Sequence, residues 1–141
     1  MSIKKETSAG GIVYKKGEKI LWLITQHSQH KGWVFPKGLI GDTVANEPME
    51  TAALREVEEE GGVKAKIMNP APASVTYSYM WKELQVDKTV HYFLMEYISG
   101  DPSNHDWEMS DAKFVTEEEV KKTLTFPSDQ EAFEKILKLF K

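Results

Sequence analysis

Three glutamates between Arg55 and Val63 are the side chains whose types and spacing best fit a chemical role. Glu56, Glu59 and Glu60 stand at positions i, i+3 and i+4, which on a helix puts three carboxylates within an arc of about 100°. Like charges so close repel one another and raise one another's pKa, so the cluster is costly unless cations share it. Hard oxygen ligands suit Mg²⁺ or Mn²⁺, and Mg²⁺ commonly takes phosphate oxygens as further ligands. The spacing therefore predicts a metal-dependent enzyme acting on a phosphate compound.

The residues around these glutamates decide between that interpretation and a plain solvated face, which is the commoner role of a glutamate-rich helix. An aromatic-Pro-Lys-Gly turn, WVFPKG, occupies residues 33–38. Glu47 and Pro48 follow it, and Gly61 with Gly62 closes the helix. This frame favours a built site over an ordinary surface helix.

These residues resemble the signature of the Nudix hydrolases. In that family a glycine is followed after five residues by a glutamate, and after seven more by Arg-Glu, an aliphatic residue, any residue, Glu-Glu, any residue, glycine and an aliphatic residue. Glu47 and the run from Arg55 to Val63 fit without a gap. The resemblance extends over nearly the whole chain through SAGGIVY, WVFPKG, VHYFLMEY and TFPSDQEAFEKIL. It implies an α+β fold, the Nudix α/β/α sandwich with a mixed central sheet.

Two glycines compete for the first position of the signature. Gly41 lies six residues before Glu47 and satisfies the spacing literally. In relatives, however, this glycine is usually that of the Pro-Lys-Gly turn, which here is Gly38. On that alignment the chain carries three extra residues in the loop 39–46. The path of this loop stays open, while the helix is unaffected.

The resemblance implies hydrolysis of a diphosphate linked to a further group, X, with Mg²⁺ or Mn²⁺ as cofactor and two or more ions when substrate is bound. It places the ions on Glu56, Glu59 and Glu60, and Glu56 either binds metal or accepts the proton of the attacking water. Family members differ in which carboxylate is the base, so no single residue is assigned. The carbonyl of Gly38 is a further expected ligand, because a missing side chain permits close approach.

Three more residues are predicted to support the site. Arg55 can form a bidentate bond to a carboxylate, so Glu47 and Arg55 are interpreted as a brace between loop and helix. The resemblance also implies a further catalytic and metal-binding carboxylate from the loop ahead of the last strand, where Glu108 is the first candidate. Asp106 and Asp111 are the next candidates, and a plain acidic surface loop is the alternative.

The group X is predicted from the aromatic residues. WVFPKG, VHYFLM and TFPSD look like segments of the dinucleoside polyphosphate hydrolases, particularly those for diadenosine tetraphosphate and hexaphosphate. Tyr79 stands sixteen residues beyond Val63, with Tyr77 two earlier, and a tyrosine ring could stack on adenine. Packing within the sheet is the alternative role for both tyrosines and for Trp33. Lys37 is predicted to meet a phosphate, unless it is simply solvated.

The leading prediction is hydrolysis of diadenosine tetraphosphate to ATP and a mononucleotide, and three alternatives stay open. The same chemistry could act on RNA 5′ ends, nucleoside triphosphates or diphosphoinositol phosphates, the last of which would want clustered basic residues. A non-catalytic nucleotide sensor typically loses the signature carboxylates, all of which are present here. An ordinary scaffold with an acidic helix predicts no tight binding of divalent ions.

Composition bounds the class of protein. With 141 residues, 40% hydrophobic and 28% charged, the chain suits one globular domain over 1–141. The net charge of −4 disfavours nucleic acid as a partner, RNA 5′ ends excepted. No apolar run approaches the roughly 20 residues of a membrane span, and the first residues do not read as a secretory signal. Cysteine is absent and the four histidines form no tight ligand motif, so we expect a cytoplasmic protein without zinc. The oligomeric state is not predicted.

Hydrophobic periodicity predicts a mixed sheet with helices on both faces. We expect strands at 7–15, 19–26, 63–68, 74–81 and 89–98, with a mobile, charged hairpin tip at 82–88. The signature helix is expected from about Pro48 to Glu60. Its core side should carry three residues opposite the carboxylates: Ala53, Leu54 and Val57.

Two capping-box patterns lie near the end of the chain. The first begins at Thr116 and the second at Ser128. The second is expected to open a helix with an apolar stripe that packs on the core: Phe133, Ile136, Leu137 and Phe140.

Overall fold

The computed structural model describes residues 2–41 and 46–140, in which eight strands and three α-helices form. The strands are β1 (Ile3–Lys15), β2 (Leu21–His27), β3 (Trp33–Val34), β4 (Lys37–Leu39), β5 (Val63–Ile67), β6 (Ala73–Trp81), β7 (Leu84–Gly100) and β8 (Met109–Val115). The helices are α1 (Met49–Gly61), α2 (Glu117–Thr123) and α3 (Pro127–Phe140), with a 3₁₀ turn at Pro102–Asn104. The loop 39–46, in which three extra residues are predicted, contains residues 42–45, which lie outside the described residues.

A long parallel pair forms the middle of the sheet. β1 and β7 run side by side from Ile3 opposite Gln85 to Tyr14 opposite Glu96. The strand order is β3-β2-β1-β7-β5, with β4 paired to β1, β6 to β7 and β8 to β2. All of these other pairs are antiparallel. The sheet is therefore mixed, as predicted.

Alternate residues of β1 belong to two separate cores, because successive side chains of a strand point to opposite faces. Ile12 and Tyr14 pack in the core shared with α2 and α3, whereas Ala9 and Val13 pack in the core shared with α1. Helices thus cover both faces, and the predicted α/β/α sandwich is confirmed. In the described part of the chain, no helix is long and apolar enough to cross a membrane.

Helix α1 has well-defined ends. Pro48 precedes its first turn in an extended conformation, which suits a residue that lacks an N–H. Gly62 ends the helix in the left-handed region at φ 74°, and its N–H donates to the Glu58 carbonyl at 3.0 Å. Glycine adopts this conformation without the penalty that a Cβ would bring.

The core side of α1 differs from the prediction at one residue. Ala53 and Val57 are fully buried, as expected, but Leu54 is 37% exposed and its assignment to the core is wrong. Ala52 takes the core position instead, so the helix is rotated about its axis. This rotation brings Glu56 into the buried sector of the helix.

The β6–β7 hairpin is longer than predicted. The expectation of a mobile tip at 82–88 is wrong, because the turn holds residues 82–83 and β7 already begins at Leu84. Gln85 pairs with Ile3, since β1 also starts earlier than expected. Pairing with a strand on either side satisfies the backbone of this segment despite its charged side chains.

The last two helices follow the predicted pattern with one correction. The hydroxyl of Thr116 accepts a hydrogen bond from the Glu119 N–H at 3.2 Å and caps α2. Helix α3 begins at Pro127, so Ser128 lies inside its first turn and its predicted role as the cap is wrong. The core stripe of α3 is confirmed, with Phe140 partly buried and three residues buried: Phe133, Ile136 and Leu137.

Candidate active site

The Pro-Lys-Gly turn is pressed against the middle of the sheet. β4 pairs with β1 so that Lys37 lies opposite Gly10. Gly10 makes this approach possible, because a Cβ there would collide with the carbonyl oxygen of Pro36. The N–H of Gly11 donates to that same carbonyl at 3.2 Å. The turn is therefore anchored to the sheet through its own backbone.

Gly38 and Glu56 are in contact where the turn meets α1. A Cβ at Gly38 would overlap the Glu56 carboxylate, so the glycine lets this carboxylate reach the turn. Glu56 is 5% exposed and Glu60, one turn along the helix, is 6% exposed. The side chain of Glu59 remains 43% exposed. Two of the three predicted carboxylates thus lie buried beside the turn, and the third faces solvent.

Arg55, the single arginine of the chain, contacts three carboxylates at once. Its Nε and Nη2 donate to Glu47 at 2.9 and 3.0 Å, which is a bidentate bond. Its Nη1 donates to Glu56 at 3.0 Å and to Glu59 at 2.9 Å. Hydrogen bonding to the guanidinium lowers the pKa of Glu47, and the same contacts raise the pKa of Arg55. The structure contains the predicted contact between Glu47 and Arg55 and extends it to the helix carboxylates.

Glu60 is held by the turn, not by Arg55. Its Oε1 accepts a hydrogen bond from the Lys37 N–H at 3.1 Å. Burial raises the pKa of Glu60 to about 8, and the charges of Glu56 and Glu108 act in the same direction, while Lys37 opposes them. A positive charge beside this carboxyl group would favour its ionised form.

The loop ahead of β8 meets the C-terminal end of α1. The Asp106 N–H donates to the Glu59 carbonyl at 2.8 Å, and burial, with the charge of Glu59 adding to it, raises the pKa of Asp106. Glu108 is exposed and close enough to Glu60 to raise its pKa. Asp111 lies on β8, where its carboxylate accepts from the backbone of its own strand. The structure therefore brings Glu108 and Asp106 to the carboxylates, without a comparable contact for Asp111 in the described residues.

The donor set at α1 has the chemistry that Mg²⁺ or Mn²⁺ prefers, with carboxylates beside a backbone turn. The contact of Gly38 with Glu56 brings the backbone of the turn within reach of a carboxylate. In residues 2–41 and 46–140, no three acidic or histidine side chains are arranged to hold an ion by themselves. Arg55 and the Lys37 N–H already occupy glutamate oxygens. An ion would need Arg55 to give up contacts, and water or phosphate oxygens to complete its ligands.

A cavity of about 820 Å³ opens beside these carboxylates, with Glu60 and Lys37 in its wall. Tyr77 and Tyr79 of β6 line it, with ring centroids 6.4 Å apart. The structure thus puts both predicted tyrosines in the wall of the same cavity as Glu60. The other lining residues come from β2 and the loop after it, from β3, β7 and β8, and from the start of α3: His27, His30, Val34, Lys88, Met109, Phe126, Pro127, Ser128 and Asp129.

Trp33 is the one predicted substrate-binding aromatic that does not line this cavity. It is partly buried against the core shared with α3. Its backbone N–H donates to the Thr125 hydroxyl at 2.8 Å, and the Lys113 ammonium lies 4.9 Å from its ring centroid. These contacts are those of packing, which was the alternative role.

Lys37 and Lys88 bring two positive charges to the cavity. Over the described ranges, neither ammonium has a carboxylate within ion-pair distance. Burial lowers the pKa of Lys88 and the charge of Lys37 adds to this, while Glu6 and Glu60 oppose it. An anion in the cavity would stabilise both ammonium groups.

Two histidines of the cavity form a stacked pair. The rings of His27 and His30 are parallel within 8°, with centroids 4.2 Å apart. The Nδ1 of His30 lies 2.9 Å from the Gly32 N–H, and that of His27 lies 3.2 Å from the Gln29 N–H. Both rings therefore carry their proton on Nε2 when neutral. Burial lowers the pKa of His30, and His27 and Lys37 add to the effect.

Asp129 ties the start of α3 to the turn and to the sheet. Its Oδ1 accepts hydrogen bonds from the Phe35 N–H at 3.2 Å and from the Tyr92 hydroxyl at 3.3 Å. The residue is 3% exposed, and burial raises the pKa of its carboxyl group. Sequence reasoning missed Asp129 and the histidine pair as site residues. The TFPSD segment carried the signal for Asp129, since it was part of the family resemblance.

A family model settles the relationship that the signature indicated. The model for the NUDIX domain matches residues 4–136. The chain belongs to the NUDIX family. Members of this family generally use divalent metals and act on small nucleotide substrates.

Several known proteins are similar to this chain. A relative from Mycobacterium tuberculosis (strain CDC 1551 / Oshkosh) that carries the name mutator protein MutT4 is 30% identical over 132 residues, 89% of this chain and 52% of that protein. The chain thus spans about half the length of that curated relative. A C. elegans Ap4A hydrolase, solved as a binary complex, has a TM-score of 0.77 at 24% identity, over 96% of this chain and 97% of that one. The NUDIX domain of Shewanella oneidensis NrtR, solved with ADP ribose, has a TM-score of 0.67 at 19% identity, over 96% and 88%. The two structural likenesses establish the fold.

Replacing Arg55 by lysine tests the brace. Arg55→Lys removes the bidentate bond to Glu47, whose side chain is 2% exposed, so we expect a loss of about 1–3 kcal/mol in the free energy of unfolding. The control is Lys122→Ala, which removes an exposed ion pair with Glu118 and should cost less than about 1 kcal/mol. Urea denaturation measures both. Equal losses in the two variants would show that Arg55 contributes no more than a surface charge.

Asp129→Asn tests the buried carboxyl group through pH. Its pKa is raised above the ordinary 3.8. The contribution of this carboxyl group to folding stability is therefore fully present below pH 3.8 and is lost as pH rises through the folded pKa. Asparagine keeps an oxygen that accepts from Phe35 and Tyr92 but carries no charge. We therefore expect the variant to be more stable than wild type at pH 7, by about 1.4 kcal/mol for every tenfold by which burial weakens the acidity of the carboxyl group.

The measurement is the difference in unfolding free energy between wild type and Asp129→Asn from pH 3 to pH 7. The advantage of the variant should shrink toward zero at the acid end. A difference that is constant with pH, or that grows on acidification, would contradict a raised pKa at Asp129.

Proposed function

We propose that this chain, acting as one domain over 1–141, hydrolyses dinucleoside polyphosphates and cleaves diadenosine tetraphosphate to ATP and a mononucleotide. The observation that best supports this proposal is that Glu60 and Lys37 line the same cavity as Tyr77 and Tyr79. A nucleotide bound with its base on the tyrosines would carry its phosphates past the lysine toward the carboxylates. The likeness of the fold to an Ap4A hydrolase supports the same substrate. A nucleotide substrate is compatible with the expected cytoplasmic location.

Side chains of the cavity supply binding and orientation. The rings of Tyr77 and Tyr79 offer faces for a base, and such stacking contributes about 1–3 kcal/mol per base. Lys37 and Lys88 offer two ammonium groups to the phosphates. His27 and His30 can add Nε2–H donors, because their Nδ1 atoms already accept backbone hydrogen bonds. Holding the phosphate chain in one orientation lowers the entropic cost of reaction.

The carboxylates of α1 supply the catalytic part of the proposal. Glu56, Glu59 and Glu60, with the Gly38 carbonyl and Glu108, would hold Mg²⁺ or Mn²⁺, two or more ions with substrate. Such ions neutralise phosphate charge and stabilise attacking and leaving oxygens. One carboxylate of this group accepts the proton of the attacking water.

Two sets of hydrogen bonds, from Arg55 and from the Lys37 N–H, hold these carboxylates in place. Before an ion enters, Arg55 keeps Glu56 and Glu59 aligned, and the Lys37 N–H holds Glu60 at the cavity wall. Each contact fixes a carboxylate relative to α1 or to the Pro-Lys-Gly turn.

The lining of the cavity favours a nucleotide over a diphosphoinositol phosphate. A highly phosphorylated ring would want a cluster of basic residues, whereas Lys37 and Lys88 are the lysines that line the cavity in the described structure. Two tyrosine rings, Phe126 and Met109 give it an apolar, base-sized surface instead. RNA 5′ ends and nucleoside triphosphates share the base and phosphate, so a direct comparison of substrates decides among them.

A panel of nucleotides in ¹⁸O-labelled water with Mg²⁺ tests the substrate. We expect diadenosine tetraphosphate to be cleaved fastest, with the label in only one of the two products. Mass spectrometry identifies the products and the phosphorus that was attacked. Rapid cleavage of a capped RNA or a triphosphate, with the tetraphosphate left intact, would overturn the substrate assignment.

Glu59→Gln tests the carboxylates, with Glu58→Gln as its matched control. Both residues are exposed neighbours on α1, so either change should leave the fold intact. We expect Glu59→Gln to lower kcat at least 100-fold, about 2.7 kcal/mol in barrier, and Glu58→Gln to leave it unchanged. Full activity in Glu59→Gln, with circular dichroism matching wild type, would remove Glu59 from the mechanism.

A further inference from the structure

The most exposed large hydrophobic side chain of the described residues lies beside the candidate active site. Trp107 is 81% exposed, whereas Trp22 in the core is 1% exposed. An indole gains free energy when an apolar or aromatic partner covers it, because its large ring leaves water. Covering a side chain so exposed would therefore stabilise a ligand bound on it.

The turn that carries Trp107 is held at both ends. The Asp106 N–H donates to the Glu59 carbonyl at 2.8 Å, and the Ser28 N–H donates to the Glu108 carbonyl at 2.9 Å. Within the turn, the Glu108 N–H donates to the Asp106 carboxylate at 3.1 Å. The backbone on either side of the indole is thus fixed, and a partner would pay little entropy to order it.

The position of this turn relates Trp107 to the path of a substrate. Its first anchor is Glu59 on α1, and Glu108 is close enough to Glu60 to shift that carboxyl group. Met109, two residues on, lines the cavity, whereas Trp107 lies outside it. The indole therefore offers a second aromatic surface beside α1, outside the cavity whose wall carries the tyrosines and Glu60.

We propose that Trp107 stacks on the second nucleobase of a dinucleoside polyphosphate, the base that remains outside the cavity. The assignment rests on the proposed function, because only a substrate with a base at each end needs two aromatic surfaces on either side of the cleaved bond. An uncharged ring suits a base. The flanking carboxylates of Asp106 and Glu108 disfavour the additional phosphates of an RNA chain, so a single terminal nucleoside is the occupant.

The test compares a ligand with two bases and a ligand with one. The two-base ligands are diadenosine tetraphosphate for kinetics and its methylene-bridged analogue for calorimetry; the one-base ligand is adenosine tetraphosphate. We expect Trp107→Ala to raise KM and Kd for the two-base ligands roughly 5- to 150-fold, the equivalent of one stacked base. Values for adenosine tetraphosphate and kcat for diadenosine tetraphosphate should stay unchanged. Trp107→Phe should keep most of the affinity.

Trp81→Ala is the matched control, because Trp81 is also exposed, at 58%, and does not line the cavity. Trp81→Ala should change neither KM nor Kd for either class of ligand. An equal loss for both ligands in Trp107→Ala, or no loss for either, would overturn the assignment of Trp107. A change in sedimentation coefficient without a change in ligand discrimination would instead assign the indole to a contact between copies and overturn it too. If wild type neither binds nor cleaves any of these ligands, the proposed function itself fails, which is a distinct result.

Discussion

The crowding of negative charge around Arg55 is the constraint on which the site depends. One guanidinium contacts Glu47, Glu56 and Glu59, while Glu60 lies beside them with a pKa raised to about 8. A single positive charge cannot compensate all of these carboxylates, so the arrangement favours further cations. If the cations enter together with a phosphate group, the lysines of the neighbouring cavity would attract that phosphate as well. Metal and substrate would thus be bound by one connected set of charges.

The sheet positions both halves of this set. The missing side chain of Gly10 lets the Pro-Lys-Gly turn lie on β1, and that of Gly38 lets the Glu56 carboxylate reach the turn. β1 in turn pairs with β7, which carries Lys88 into the cavity and pairs with β6, which carries the tyrosines. A short run of strand pairs therefore links the carboxylates to the surface that would bind a base.

Local sequence predicted the parts of the site that depend on helix periodicity and charge. The glutamate spacing, the bidentate bond of Arg55 and the helix ends follow from neighbours within a few residues. Leu54 was misplaced because periodicity leaves the rotation of a helix open by one residue, and packing of Ala52 on the sheet decided it. Asp129 and the His27–His30 pair depend on tertiary contacts, such as the bond from Phe35, that no local pattern encodes. The exposure of Trp107 could not be predicted, because a lone tryptophan in an acidic loop gives no periodic signal.

Titration with Mn²⁺ tests directly whether the α1 carboxylates bind divalent ions together with a nucleotide. Electron paramagnetic resonance of free Mn²⁺ would be followed in a titration of the protein with and without a non-hydrolysable nucleotide. We predict that wild type binds Mn²⁺ and that nucleotide strengthens this binding. The binding should be lost in a variant with glutamine at positions 56 and 60 but not in one with glutamine at position 58. Binding that is the same in all three proteins, or absent at millimolar Mn²⁺ with nucleotide present, would contradict it.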